Sequence, residues 1–163
     1  MNLTDTGSAR TRVPVAVRAI LVVAGLVVVG IGGAILTAPG AFHAGNGIEY
    51  AGNSSLLSET RAAGGALLAT GVLVTLGAFV RRLTFTASLI GAVVYLAYGL
   101  ARLLSVAVDG LPSESLVAAA VAELILGAAC GYALHRTVRG PVPPATRPPG
   151  RSVPGAVRPG RTG

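Results

Sequence analysis

The sequence predicts an all-α fold: a four-helix transmembrane bundle with both termini on the cytoplasmic side (N-in/C-in) and a disordered cytoplasmic C-terminal tail. Three observations carry this. Only 12% of the 163 residues are charged, about half the share usual in a soluble domain, and the mean hydropathy is +0.71. Four apolar runs reach the ~20 residues that a helix needs to cross a bilayer. The arginines then fall on alternate sides of those runs.

Span one covers about residues 15–38 (VAVRAILVVAGLVVVGIGGAILTA). Its apolar run is longer than the roughly 7–15 residues of a signal-peptide core, and three more runs follow, so it reads as a retained helix. Spans two, three and four cover about residues 61–80, 83–108 and 115–134. Their glycines do not weaken the reading, because Gly is common in membrane helices. A segment before the first span (1–14), the spanning domain (15–135) and a tail (136–163) complete the division. The tail, RTVRGPVPPATRPPGRSVPGAVRPGRTG, is rich in Pro, Gly and Arg and lacks the apolar content to build a core.

Orientation follows from the excess of basic residues in cytoplasmic loops. All thirteen basic residues are arginine. Arg10, Arg12 and Arg18 lie at or before the start of span one, Arg81 and Arg82 join spans two and three, and six more follow span four. With four crossings these share one side, while Glu49, Glu59, Asp109 and Glu114 fall on the other. The net charge of +7 is thus a topology signal, and nucleic-acid binding is not expected. The partner implied is the lipid bilayer of a bacterial cytoplasmic membrane, with a partner membrane protein or a second copy as a further candidate.

Span three holds the sequence's most unusual pattern. Thr84, Ser88, Gly91, Tyr95, Tyr98, Arg102, Ser105 and Asp109 recur at alternating steps of four and three, which sets them on one helical face. The residues between them are mainly Leu, Ile, Val and Ala. A small-and-polar stripe of this kind belongs in a bundle interior. Arg102 lies roughly 28 Å along the helix from Leu83, near the outer interface. In span four, Glu123 sits between AAAVA and LILGAA, where a lone charge costs roughly 2.5–3.5 kcal/mol and demands a partner. Glu59 and Arg61 stand at the start of span two. One buried cluster near the outer face is therefore expected from Glu59, Arg61, Tyr98, Arg102, Ser105, Asp109 and Glu123. It would act as a structural lock or as a ligand-binding site.

Small residues mark helix contacts: Gly64, Gly65 and Gly71 in span two, Gly30 and Gly33 in span one, and the GxxxG pair Gly127 and Gly131 in span four. The tight stretch DGLPSES reads as a turn with Ser113 as N-cap of span four. Asn53-Ser54-Ser55 fits a glycosylation sequon, a frequent chance match. The lone Cys130 can form no intrachain disulfide and reads as a core side chain.

Catalytic machinery is not expected. His43 and His135 fall on opposite sides of the membrane, so no metal site is predicted. No phosphate loop or nucleophile elbow occurs, and no cofactor motif is found. The expected function is a non-enzymatic binding or interaction module. The alternative is a small dimeric carrier, proton-coupled through Glu123.

The stretches SETRAAGGALLATGVL, YGLARLLSVAVDGLPSESL and AAVAELILG resemble the bacterial four-helix membrane family catalogued as domain of unknown function 4345. The matching positions are Glu59, Arg61, Gly64 and Gly65; Arg102, Ser105, Asp109, Gly110 and Pro112; and Glu123, over about residues 19–134. The resemblance implies the four-helix membrane fold and the charged positions. It implies no activity.

Overall fold

A computed structural model describes residues 13–47 and 53–139. Five helices run through them: α1 (Val15–Thr37), α2 (Pro39–Ala44), α3 (Ser54–Gly77), α4 (Arg81–Asp109) and α5 (Glu114–Val138). No strand occurs among the described residues. All but α2 are long and apolar enough to cross a membrane. The 29 residues of α4 span about 43 Å, more than the ~30 Å hydrocarbon core, so this helix tilts or projects beyond it. Large apolar side chains cover the outside, among them Val93, Leu100, Leu104 and Ile125, as lipid-facing helices require.

Two of the helices begin or end differently from the apolar runs. α3 starts at Ser54, well before Arg61, because the Asn53 side chain accepts the Leu56 backbone N–H at 3.1 Å and caps the helix. Asn53 is thus a helix cap within the sequon match. α5 continues through Val138, so the first residues of the expected tail are helical. The tail beyond residue 139, the residues before 13 with Arg10 and Arg12, and Glu49 and Tyr50 lie outside the described residues.

The helices form two antiparallel pairs, α1 with α3 and α4 with α5. In the first pair, Gly25 and Gly32 of α1 meet Gly71 and Gly64 of α3. Each is so close to the opposite helix that an added Cβ would collide with it. The seven-residue step is the same on both helices, so one contact fixes the other. Gly30, Gly33 and Gly65 have open space beside them and do not contribute to this seam.

The two pairs converge at the end of the bundle that carries the α3–α4 turn, called here the terminal end. Val17, Leu21, Val74, Ala87, Cys130 and Ala133 form an apolar core there. Thr84 donates its hydroxyl to the Gly77 carbonyl at 2.8 Å, satisfying an acceptor left open at the end of α3. Near mid-bundle the buried Tyr95 hydroxyl donates to the Ala24 carbonyl at 2.7 Å and ties the pairs together. Beyond it the pairs separate. The short turn at 78–80 holds them at the terminal end. At the opposite, distal end α1 and α3 are joined by the longer stretch 38–53, and α2 lies in it.

The turn between α4 and α5 is tight. Gly110 takes φ +92°, which a side chain would disfavour, and its N–H returns to the Val106 carbonyl. Ser113 holds the N-cap position of α5 but makes no capping bond with its side chain. Its hydroxyl instead donates to the Asn46 carbonyl at 3.2 Å, linking this turn to the stretch after α2.

Candidate functional site

The α4–α5 seam explains how Arg102 meets its partner. Large side chains of each helix fill glycine notches of the other. An added Cβ on Gly91 would touch Cys130, one on Gly127 would strike Leu96, and one on Gly99 would strike Leu124. Each step along α4 toward the distal end matches a step back along α5. The next step sets Arg102 against Glu123. The Arg102 Nε donates to Glu123 Oε2 at 2.9 Å, the one ion pair among the described residues. Their side chains are 32% and 13% exposed, so the carboxylate is the more enclosed partner. This is the pairing that Glu123 required.

The stripe on α4 changes character along its length. Thr84, Ser88, Gly91 and Tyr95 are buried, Tyr98 is 42% exposed, and Ser105 and Asp109 are exposed. The switch coincides with the separation of the helix pairs. Past Tyr95 the stripe no longer faces another helix pair but a cavity of about 420 Å³, within the range usual for small-molecule sites.

The cavity fills the distal half of the bundle. Its floor holds Tyr95 and Leu126, and its apolar walls include Val28 and Ile31 of α1 and Leu67 of α3. Its polar side is Tyr98 and Arg102 of α4 with Glu123 of α5. Phe42, His43 and Asn46 of α2 and its following turn line the rim. The ring of Phe42 meets that of His43 edge-on at 5.4 Å. The Asn46 side chain holds the Phe42 carbonyl at 2.8 Å, and a His43 ring nitrogen lies 2.8 Å from the Pro39 carbonyl. Protein does not close the cavity completely, since Ile31, Ala63, Tyr98 and Ala122 on its walls remain exposed.

The remaining charges expected in the cluster stand apart. By helical rise, Arg61, Arg102 and Glu123 lie at comparable distances from the distal end. Rotation about the helix axis separates them. The face of α3 fixed by Gly64 and Gly71 carries Thr60 into the cavity wall, and its neighbours Glu59 and Arg61 are both exposed. Asp109 receives a local bond from the Ser105 hydroxyl at 3.0 Å, one turn away at the exposed end of α4. The three-helix cluster thus resolves into an Arg102–Glu123 pair flanked by Tyr98. Of the helix-packing glycines, Gly64 and Gly127 serve close contacts, and Gly65 and Gly131 have nothing within reach.

Sequence reasoning missed the cavity itself, the seam residues Gly25 and Gly32, and Thr60. The last three had a signal: the shared seven-residue step of 25/32 and 64/71, which also fixes the inward face at 60. No group of His, Cys, Asp and Glu able to hold a metal occurs among the described residues.

Neither a curated protein nor a solved structure is matched by the chain. A family profile covers residues 16–134, nearly all of the four-helix bundle, and by that match the chain belongs to the family described as Domain of unknown function (DUF4345).

Proposed function

We propose that this protein is a non-enzymatic binding module of a bacterial cytoplasmic membrane, oriented N-in/C-in, and that it holds a small ligand in the distal cavity. The observation that carries the reading is the form of that cavity. Apolar walls surround one polar patch, Tyr98 with the Arg102–Glu123 pair. A few convergent polar groups in an otherwise apolar pocket are the usual sign of a ligand site. An ion pair that served only as a lock would gain from being shielded from water, which weakens the attraction. The carrier alternative takes Glu123 as its titrating group, and that carboxylate is paired with Arg102.

Native mass spectrometry of protein released from mild detergent tests the reading. Wild type should carry a bound small molecule or lipid. Ala119→Phe, which places a ring in the cavity, should fold and lose that mass. Bare wild-type protein, or the same mass on both, would contradict it. Orientation is tested separately by a thiol reagent that cannot cross membranes. Leu111→Cys, in the exposed α4–α5 turn, should react in intact cells; reaction only in inverted vesicles would reverse the topology.

A further inference from the structure

We infer that the ligand of the distal cavity is an uncharged lipid with a single chain and a head bearing hydroxyl or carbonyl oxygen, such as a monoacylglycerol. The inference rests on the binding reading above and concerns the chemistry of the polar patch.

The patch is neutral as a unit. Arg102 and Glu123 cancel each other at 2.9 Å, in surroundings that are otherwise mostly apolar. A carboxylate or phosphate head bound there would add a net negative charge beside the Glu123 carboxylate, and an isolated charge in such a site is heavily penalised. An ammonium head would meet Arg102 with the same result. An uncharged head avoids both penalties.

The patch nevertheless offers hydrogen bonds. The pair is held through Nε and Oε2 only. The terminal nitrogens of Arg102 remain as donors and the second oxygen of Glu123 as an acceptor. Tyr98 lines the same wall, and its hydroxyl can serve as either. A head carrying both hydroxyl and carbonyl oxygen satisfies all three, whereas a hydrocarbon would leave them unpaired.

The apolar part fits a chain. From Arg102 to Tyr95 the cavity extends about 10 Å along α4 by helical rise. Exposed lining residues such as Ile31 and Ala122 leave it unsealed at bilayer depth, so a longer chain can pass out among the lipids.

The test is a native mass spectrometry titration of the full chain in mild detergent with monooleoylglycerol, oleate and oleoyl lysophosphatidylglycerol. Monooleoylglycerol should bind about tenfold or more tighter than either anion. Tyr98→Phe should weaken it by about fivefold, the worth of one hydrogen bond. The double variant Arg102→Leu with Glu123→Leu, which replaces the pair by apolar side chains and keeps the wall filled, should weaken monooleoylglycerol binding by more than Tyr98→Phe does and leave both anions disfavoured; unchanged monooleoylglycerol binding would overturn the role of the pair. Equal or tighter binding of oleate or the lysophospholipid would overturn the ligand class and leave the binding reading standing. No binding by any of the three would overturn the lipid ligand, and the binding reading would then be decided by whether the protein as isolated carries a bound mass.

Discussion

At the scale of single residues, Arg102 and Glu123 depend on each other. Removing one leaves the other charged in a mostly apolar wall, and removing both does not. Glu123→Gln should therefore lower stability by about 1–3 kcal/mol, read as thermal unfolding in detergent. Arg102→Leu combined with Glu123→Leu should cost less than either single change. If the double variant lost the sum of the two single losses, the side chains would not be coupled. The pairing was partly legible in the sequence. Glu123 sits among Ala and Leu and required a partner, and Arg102 is the basic residue at matching depth on the stripe. Glu59 and Arg61 were drawn in wrongly because depth counts only rise along a helix. Rotation follows from which side of α3 packs on α1, and Gly64 and Gly71 set that side.

At the scale of helices, the two pairs are zipped by different devices. The α1–α3 seam brings backbones together at glycines, with Gly25 and Gly32 facing Gly71 and Gly64. The α4–α5 seam sets Leu96 and Leu124 into glycine notches. A side chain at a seam glycine pushes the helices apart, while one at an open glycine meets lipid. Gly71→Leu should thus destabilise the fold strongly, by about 3 kcal/mol or more given the backbone collision, and Gly30→Leu should leave the melting temperature nearly unchanged. Equal losses at both positions would contradict the seam. The number of spanning helices and the buried part of the stripe on α4, Thr84 to Tyr95, were readable from period and length, because apolar runs and 3.6-residue spacing are local properties. Choosing among the many glycines needs the partner helix, whose register no single segment contains. The Tyr95 bond to Ala24 was beyond reach for the same reason: its acceptor is a backbone carbonyl that any residue would supply.

At the scale of the whole molecule, the bundle is closed at one end and open at the other. The turn at 78–80, the Thr84–Gly77 bond and the apolar core bind the pairs at the terminal end. The distal half keeps its two seams and encloses space between them, with α2 at the rim. A sequence shows which residues are apolar but not that two packed pairs diverge, so the cavity was not legible although Tyr98, Arg102 and Glu123 on its wall were. The binding function requires that this space exist and admit a ligand. It is tested most directly by thiol labelling with N-ethylmaleimide, using Cys130, fully buried in the core, as the internal reference. Wild type should remain unlabelled. Ala119→Cys, on the cavity wall, should take up one label, and saturating monooleoylglycerol should slow its reaction. A cysteine at 119 as inert as Cys130 would mean that the distal half is packed shut and holds no ligand.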